Sequence, residues 1–179
     1  MEATVIALAS DAIHRVSKIR RDSLRLIAGL GVEADAHAGL TMQHRSRWVK
    51  QRTVPNLRQV HLIHGELFED LAGKGFDVAP AVMGENVTTR GIDLLNLSQG
   101  ARLRLGGALI EITGLRNPCF KLNQIAPGLM EAVLEKGPGK TLNRKAGIMA
   151  IVIESGEVAV GDSITLESTP AIRVPLKPV

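Results

Sequence analysis

The stretch ARLRLGGALIEITGLRNPCF (101–120) decides the fold. Two arms of alternating character, 101–105 and 108–113, flank Gly106-Gly107, the pattern of an antiparallel hairpin with a tight turn. The second arm runs straight into GLRNPCF (114–120), so that segment is presented at a strand exit, a common position for a functional side chain. It carries Cys119, the only cysteine in 179 residues.

The rest of the chain extends the β pattern. TVIALA (4–9) and QVHLI (59–63) read as strands, and 23–39 as a strand followed by a loop. In 65–75 the spacing of Leu67, Phe68 and Leu71 predicts a short helix ended by glycine. In 128–139, Leu129, Val133 and Leu134 share a helical face before a Gly-Pro-Gly stop. The stretch 146–167 reads as a second hairpin turning at Ser155-Gly156, with a closing strand after Gly161-Asp162. The basic, Pro55-broken stretch 44–58 reads as an exposed loop. Many short strands with few helices point to a mainly β barrel or sandwich with helical insertions. One domain over 1–167 is expected, with 168–179, which holds three prolines, as an extended or frayed tail.

Composition narrows the class. At 45% hydrophobic and 22% charged residues the chain can build an ordinary core. One cysteine permits no intrachain disulfide. No run approaches the about 20 apolar residues of a membrane span, and the N-terminus lacks a secretion pattern, so a cytoplasmic setting without a membrane partner is expected. The net charge of +4 invites a nucleic-acid reading. Three Phe, one Trp and no Tyr argue against a base-stacking platform. What remains of that reading is the basic loop 44–58; the charge serves a small anionic ligand equally well.

Residue type alone leaves Cys119 open between buried filler and functional thiol. Pro118 fixes the backbone before it, and Arg116 and Lys121 flank it with positive charge, which favours the thiolate. A Cys–His nucleophile would draw on His14, His37, His44, His61 or His64, but no spacing selects one. His61 and His64 lack the further ligands of a zinc site and read as core or surface histidines. In ADAHAG (34–39), Asp35 and His37 share a face if extended, and Asp35 can orient the imidazole; a polar turn capped by Gly39 is an equal reading. In GENVTTRGID (84–93), Glu85, Asn86, Thr88, Thr89 and Arg90 between glycines make a candidate anion or heterocycle cradle without a P-loop ending. Lys140, Asn143, Arg144 and Lys145 are candidate phosphate contacts or a solvated basic run.

In order, VEADAHAG, GENVTTRGID, LIEITGLRNPC and AGIMAIVIESGEVAVGD resemble the MOSC domain, named for the C-terminal part of molybdenum-cofactor sulfurases. The resemblance covers about residues 20–167. It implies a closed, mostly antiparallel β-barrel with short helices. It implies that Cys119 ligates molybdenum of the pterin-based molybdenum cofactor (molybdopterin) or carries sulfur. Reducing members act on N-hydroxylated compounds with electrons from separate proteins. By this resemblance Asn86, Thr88, Thr89 and Arg116 line the cofactor pocket, and Asp35 and His37 match the family's Asp-x-His element. Arg90, Arg116, Asn143, Arg144 and Lys145 become candidates for the cofactor phosphate, and Asp35 or His37 for proton delivery. The alternative is a sulfur-delivery module with a persulfide on Cys119. Expected partners are a small-molecule substrate and either an electron-donor protein or a cysteine desulfurase. Pyridoxal phosphate is not expected, because no desulfurase domain with its lysine is present. Ala34 departs from the family's frequent glycine before Asp35, so the local turn is in question.

Overall fold

The computed structural model describes residues 2–42, 54–137, 139 and 141–179. His44, Lys140 and most of the basic loop, 44–53, lie outside these residues. The described chain is mainly β with two short α-helices. In chain order the strands are β1 (Thr4–Ser10), β2 (Ile19–Arg21), β3 (Ser23–Ile27), β4 (Gly31–Val32), β5 (Val60–His64), β6 (Val87–Arg90), β7 (Arg102–Leu105), β8 (Ala108–Leu115), β9 (Leu134–Lys136), β10 (Leu142–Arg144), β11 (Ile148–Glu154), β12 (Gly156–Ala159) and β13 (Ile164–Ser168). The helices are α1 (Glu66–Gly73) and α2 (Leu129–Ala132), with 3-10 turns at Leu94–Asn96 and Phe120–Gln124.

Eight strands form one sheet in the order β13-β7-β8-β11-β5-β6-β1-β2, with β5–β6 its parallel pair. β12-β3-β4 and β10-β9 form two smaller sheets. Among the described residues no sheet closes on itself, so the ladders do not form the closed barrel expected above. The ends approach locally: Thr4 bridges Ser163, and Ile164 N donates to Ala3 O over 2.8 Å.

The hairpin at Gly106-Gly107 forms as read, pairing Leu105 with Ala108. The second expected hairpin does not. β11 pairs with β5 and β8, whereas β12 leaves it at Ser155 to pair with β3. Local alternation reports a strand but not its partner. The helix expected over 128–139 stops after Ala132. Leu134 opens β9, which pairs with β10, so the stretch after Ala132 is strand and not helix. GENVTTRGID is also strand in its centre: β6 lies between β5 and β1, and Thr88 and Thr89 are buried. The tail is extended and tied down, through Val174 to Ser98 and Gln99, and through Lys177 O, which accepts from Leu115 N over 2.8 Å.

Strand alternation sets up the site. Ile148, Ala150 and Val152 of β11 and Val60 and Leu62 of β5 face the main core. Met149 and His61, between them, face the other side and line a cleft there. Ile63, one step on, joins a second core under α1, α2 and the 3-10 turn at Phe120–Gln124. That second core anchors the segment carrying Cys119 through Leu122, which is fully buried.

Candidate functional site

The cleft has a volume of about 100 Å³. Among the described residues, five cationic side chains line it (Arg15, Lys18, Arg58, Arg116 and Lys121) and no carboxylate does, although Arg15 pairs with Asp11 and Lys18 with Asp35 outside the lining. Val16, Met42, Met83 and Met149 supply an apolar wall, and Cys119, His37, His61 and Asn86 complete the functional lining.

Cys119 is half-buried and extended, at φ −133° and ψ 165°, immediately before the 3-10 turn. The strand exit that presents it is fixed on both sides. Arg116 N donates to Gly147 O over 3.0 Å, and Cys119 O accepts from Leu122 N over 3.0 Å. Arg116 lines the cleft. Nη2 reaches Met83 O at 3.4 Å, while Nη1 is buried with no partner. Burial lowers the Arg116 pKa, opposed by the charges of Cys119 and Glu85. An unpartnered buried guanidinium N–H is costly unless something accepts it.

Gly84 forms part of the wall at φ +84°, and a Cβ there would sit 2.6 Å from Val16 O. Only glycine brings these two walls so close. Glu85 lies directly behind. Its Oε1 accepts from Ala81 N at 2.6 Å and Thr88 Oγ1 at 3.3 Å, and burial pushes its pKa up.

Asp35 and His37 come together, but not on a strand face. They sit in a turn, where Asp35 Oδ1 accepts from His37 N at 2.9 Å and faces His37 Nδ1 at 3.2 Å. Asp35 itself is buried and does not line the cleft; His37 does. Asp35 Oδ2 takes Lys18 Nζ at 2.6 Å and Asn86 Nδ2 at 3.0 Å. Ala34 holds φ +57°, the left-handed conformation that glycine favours.

His61 is buried, and its Nε2 lies 2.8 Å from Ala146 O. A carbonyl can only accept, so Nε2 carries the proton. Burial first, then the charge of Arg116, lowers its pKa well below the ordinary value, leaving a neutral imidazole at the cleft.

Of the other residues singled out from sequence, Asn86 reaches the cleft, but both amide hydrogens are spent on Ala9 O and Asp35. Thr88 and Thr89 are enclosed in β6 and do not line the cleft, because a central strand buries both faces. Arg90 pairs with Glu69 at 2.6 Å, outside the lining. Asn143 is exposed on β10, and Lys145 pairs with Glu135 at 2.6 Å. Arg144 stays outside but donates to Asn117 Oδ1 at 3.0 Å, bracing the Cys119 segment. Sequence reading missed Lys18, Arg15 and Arg58, and took His61 for an ordinary core or surface histidine. His61 and His64 do not meet in a metal site: no group of three His, Cys, Asp or Glu able to hold an ion occurs among the described residues.

The chain is β-rich, and its cleft holds Cys119 and the Arg116 guanidinium with no carboxylate among the described lining residues. The profile of the MOSC domain matches residues 49–165, and the chain belongs to that family. Protein YiiM of Escherichia coli (strain K12) is 29% identical over 161 residues, covering 86% of this chain and 63% of YiiM. The chain therefore spans less than two thirds of that relative. The crystal structure of the YUAD protein from Bacillus subtilis aligns with a TM-score of 0.72 at 27% identity, over 92% of this chain and 94% of that one. YiiM from Geobacillus stearothermophilus aligns with a TM-score of 0.67 at 17% identity, over 93% and 75%, a likeness of fold alone.

Proposed function

We propose that this chain binds the pterin-based molybdenum cofactor through the Cys119 thiolate and reduces N-hydroxylated compounds. The observation that carries the reading is Arg116: it lines the cleft that holds the chain's only thiol, with one guanidinium nitrogen, Nη1, buried and unpartnered. That donor set suits a soft metal centre with a phosphate attached. A thiolate is the soft ligand, and guanidinium is the planar donor for phosphate oxygens. Arg15, Arg58 and Lys121 add charge of the required sign, and Arg144 supports the Cys119 segment from outside. The cofactor, when bound, supplies the two-electron redox chemistry.

The chain's own residues do the rest. His37, oriented by Asp35, is the candidate proton donor on the cleft wall. Neutral His61 holds the β5 wall to Ala146. Val16 and the three methionines exclude water from one side of a bound ligand. The overall reaction breaks an N–O bond with two electrons and two protons, giving the N–H compound and water. A reducing, cytoplasmic setting suits a protein that works through a free thiol.

The test is reduction of an N-hydroxylated base analogue with reduced viologen as donor. Protein from a molybdenum-replete host is active; protein from a tungstate-grown host is not. Equal activity in both, or none in either, contradicts the proposal.

A further inference from the structure

Breaking an N–O bond takes two electrons, which come from the bound cofactor, and two protons, which the chain must supply. One proton goes to the departing hydroxyl, which leaves as water, and one to the nitrogen. His37 accounts for one of them. The lining of the cleft narrows the source of the other. Arginine does not deprotonate in proteins, which sets aside the three guanidinium groups. His61 is neutral, and its one ring proton is held on Ala146 O. Cys119 is the metal ligand in the reading above. Lys121 is exposed, so holding its long side chain at any one position costs rotamer freedom. Lys18 is left, and it is held in place.

We infer that Lys18 is the second proton donor of the cleft, coupled to His37 through the shared carboxylate of Asp35; the inference rests on the function proposed above. Lys18 N donates to Ala81 O at 2.9 Å and Ser17 Oγ to Val82 O at 2.9 Å, so the arm that carries the lysine is pinned next to the Gly84 wall. Nζ donates to Asp35 Oδ2 at 2.6 Å. An ammonium has three hydrogens. Among the described residues Asp35 is the one acceptor for Nζ, which leaves two hydrogens uncommitted on a side chain that lines the cleft. Asp35 Oδ1 faces His37 Nδ1 at 3.2 Å, so a single carboxylate orients both proton carriers. Burial pushes the Asp35 pKa up, but the His37 hydrogen bond and the Lys18 charge outweigh it. The carboxylate therefore stays anionic and orients its two partners without taking their protons. Burial lowers the Lys18 pKa against the charges of Asp35, Glu85 and Asp11, which brings the ammonium closer to the range where a general acid works. Neutral His61 is the titratable group that faces Lys18 from β5.

The test compares the full chain from a molybdenum-replete host, wild type and Lys18→Arg. Arginine keeps the charge and the pairing with Asp35 but does not give up its proton. Bound molybdenum is measured on both, with kcat and KM across pH for an N-hydroxylated base analogue and reduced viologen. The titration of Lys18 Nζ is followed in the wild type by NMR. Wild-type kcat falls on the alkaline side with the midpoint at which Nζ titrates, below the ordinary lysine value of about 10.4. Lys18→Arg keeps its molybdenum, KM and thermal midpoint, but loses kcat by about a hundredfold and loses that alkaline limb. An unchanged kcat, an alkaline limb that stays, or an Nζ titration apart from the wild-type limb overturns the donor role. So does loss of molybdenum from Lys18→Arg, which would make Lys18 a cofactor contact. If the variant does not fold, the match between the wild-type limb and the Nζ titration decides alone. A wild type without molybdenum or without reduction contradicts the functional reading, and the donor role falls with it. An active wild type with any of the contrary results above overturns the donor role only.

Discussion

Lys18 Nζ lies 2.6 Å from Asp35 Oδ2, with the two side chains only 4% and 1% exposed. This buried pair ties the arm after β1 to the turn that carries His37. Burial acts on both partners, lowering the Lys18 pKa against the opposing charge of Asp35. For Asp35, burial pushes upward, but hydrogen bonds from His37 and the charge of Lys18 outweigh it and hold the carboxyl well below the usual carboxylate range.

Asp35→Asn removes the charge and leaves Lys18 buried without its hydrogen-bonded counter-ion. We expect a loss of about 3–5 kcal/mol at neutral pH. The pH dependence has a fixed sign. The unfolded state binds the Asp35 proton more readily than the folded state, so this contribution is complete above about pH 4 and fades as the pH falls below it. Urea unfolding of both proteins across the acid range checks this. An equally steep acid loss in the variant contradicts it.

Ala34→Gly removes the cost of a left-handed alanine at φ +57°. The gain is offset by the greater freedom of glycine in the unfolded chain. The expected net change is a stabilisation of about 0.5–1 kcal/mol, read from the urea midpoint. A destabilisation of that size would mean the turn does not hold alanine in that conformation.

Gly114→Ala tests what the C-terminal segment does. A Cβ at Gly114 would overlap Lys177 O and stand 2.7 Å from Val179 Cγ1. The expected cost is about 1–3 kcal/mol as the tail is pushed away. Hydrogen exchange at the Leu115 amide, which donates to Lys177 O, speeds up. Unchanged protection at Leu115 contradicts the contact.

His61 stays neutral through the physiological range because burial, and then Arg116, disfavour its charged form. Nitrogen-detected NMR should show one tautomer, protonated at Nε2, with no titration between about pH 5 and 8. A midpoint near the ordinary 6.5 or so would show that water reaches the ring.

Much of the β pattern was legible because alternation is local. The hairpin at Gly106-Gly107 and the strand exit at Cys119 follow from residues within a few positions of each other. The partner of β12 was not legible, because pairing with β3 joins Gly156 to Leu26 across the chain. The same limit governed the site. Cys119 and Arg116 share one segment and could be read together. Lys18 sits in a basic run that resembles a solvated surface, and only the fold brings Asp35 to it. Thr88 and Thr89 showed the reverse error: polar residues in a glycine-flanked stretch suggested a cradle, yet the strand they belong to is central to the sheet.

The most direct measurement is the molybdenum content of the protein from a molybdenum-replete host, for wild type and Cys119→Ser. The account predicts bound metal in the wild type and its loss in the variant, with the fold intact by circular dichroism. Equal metal in both, or none in either, contradicts the ligand role of Cys119; a labile extra sulfur on Cys119 without metal would point instead to the persulfide carrier.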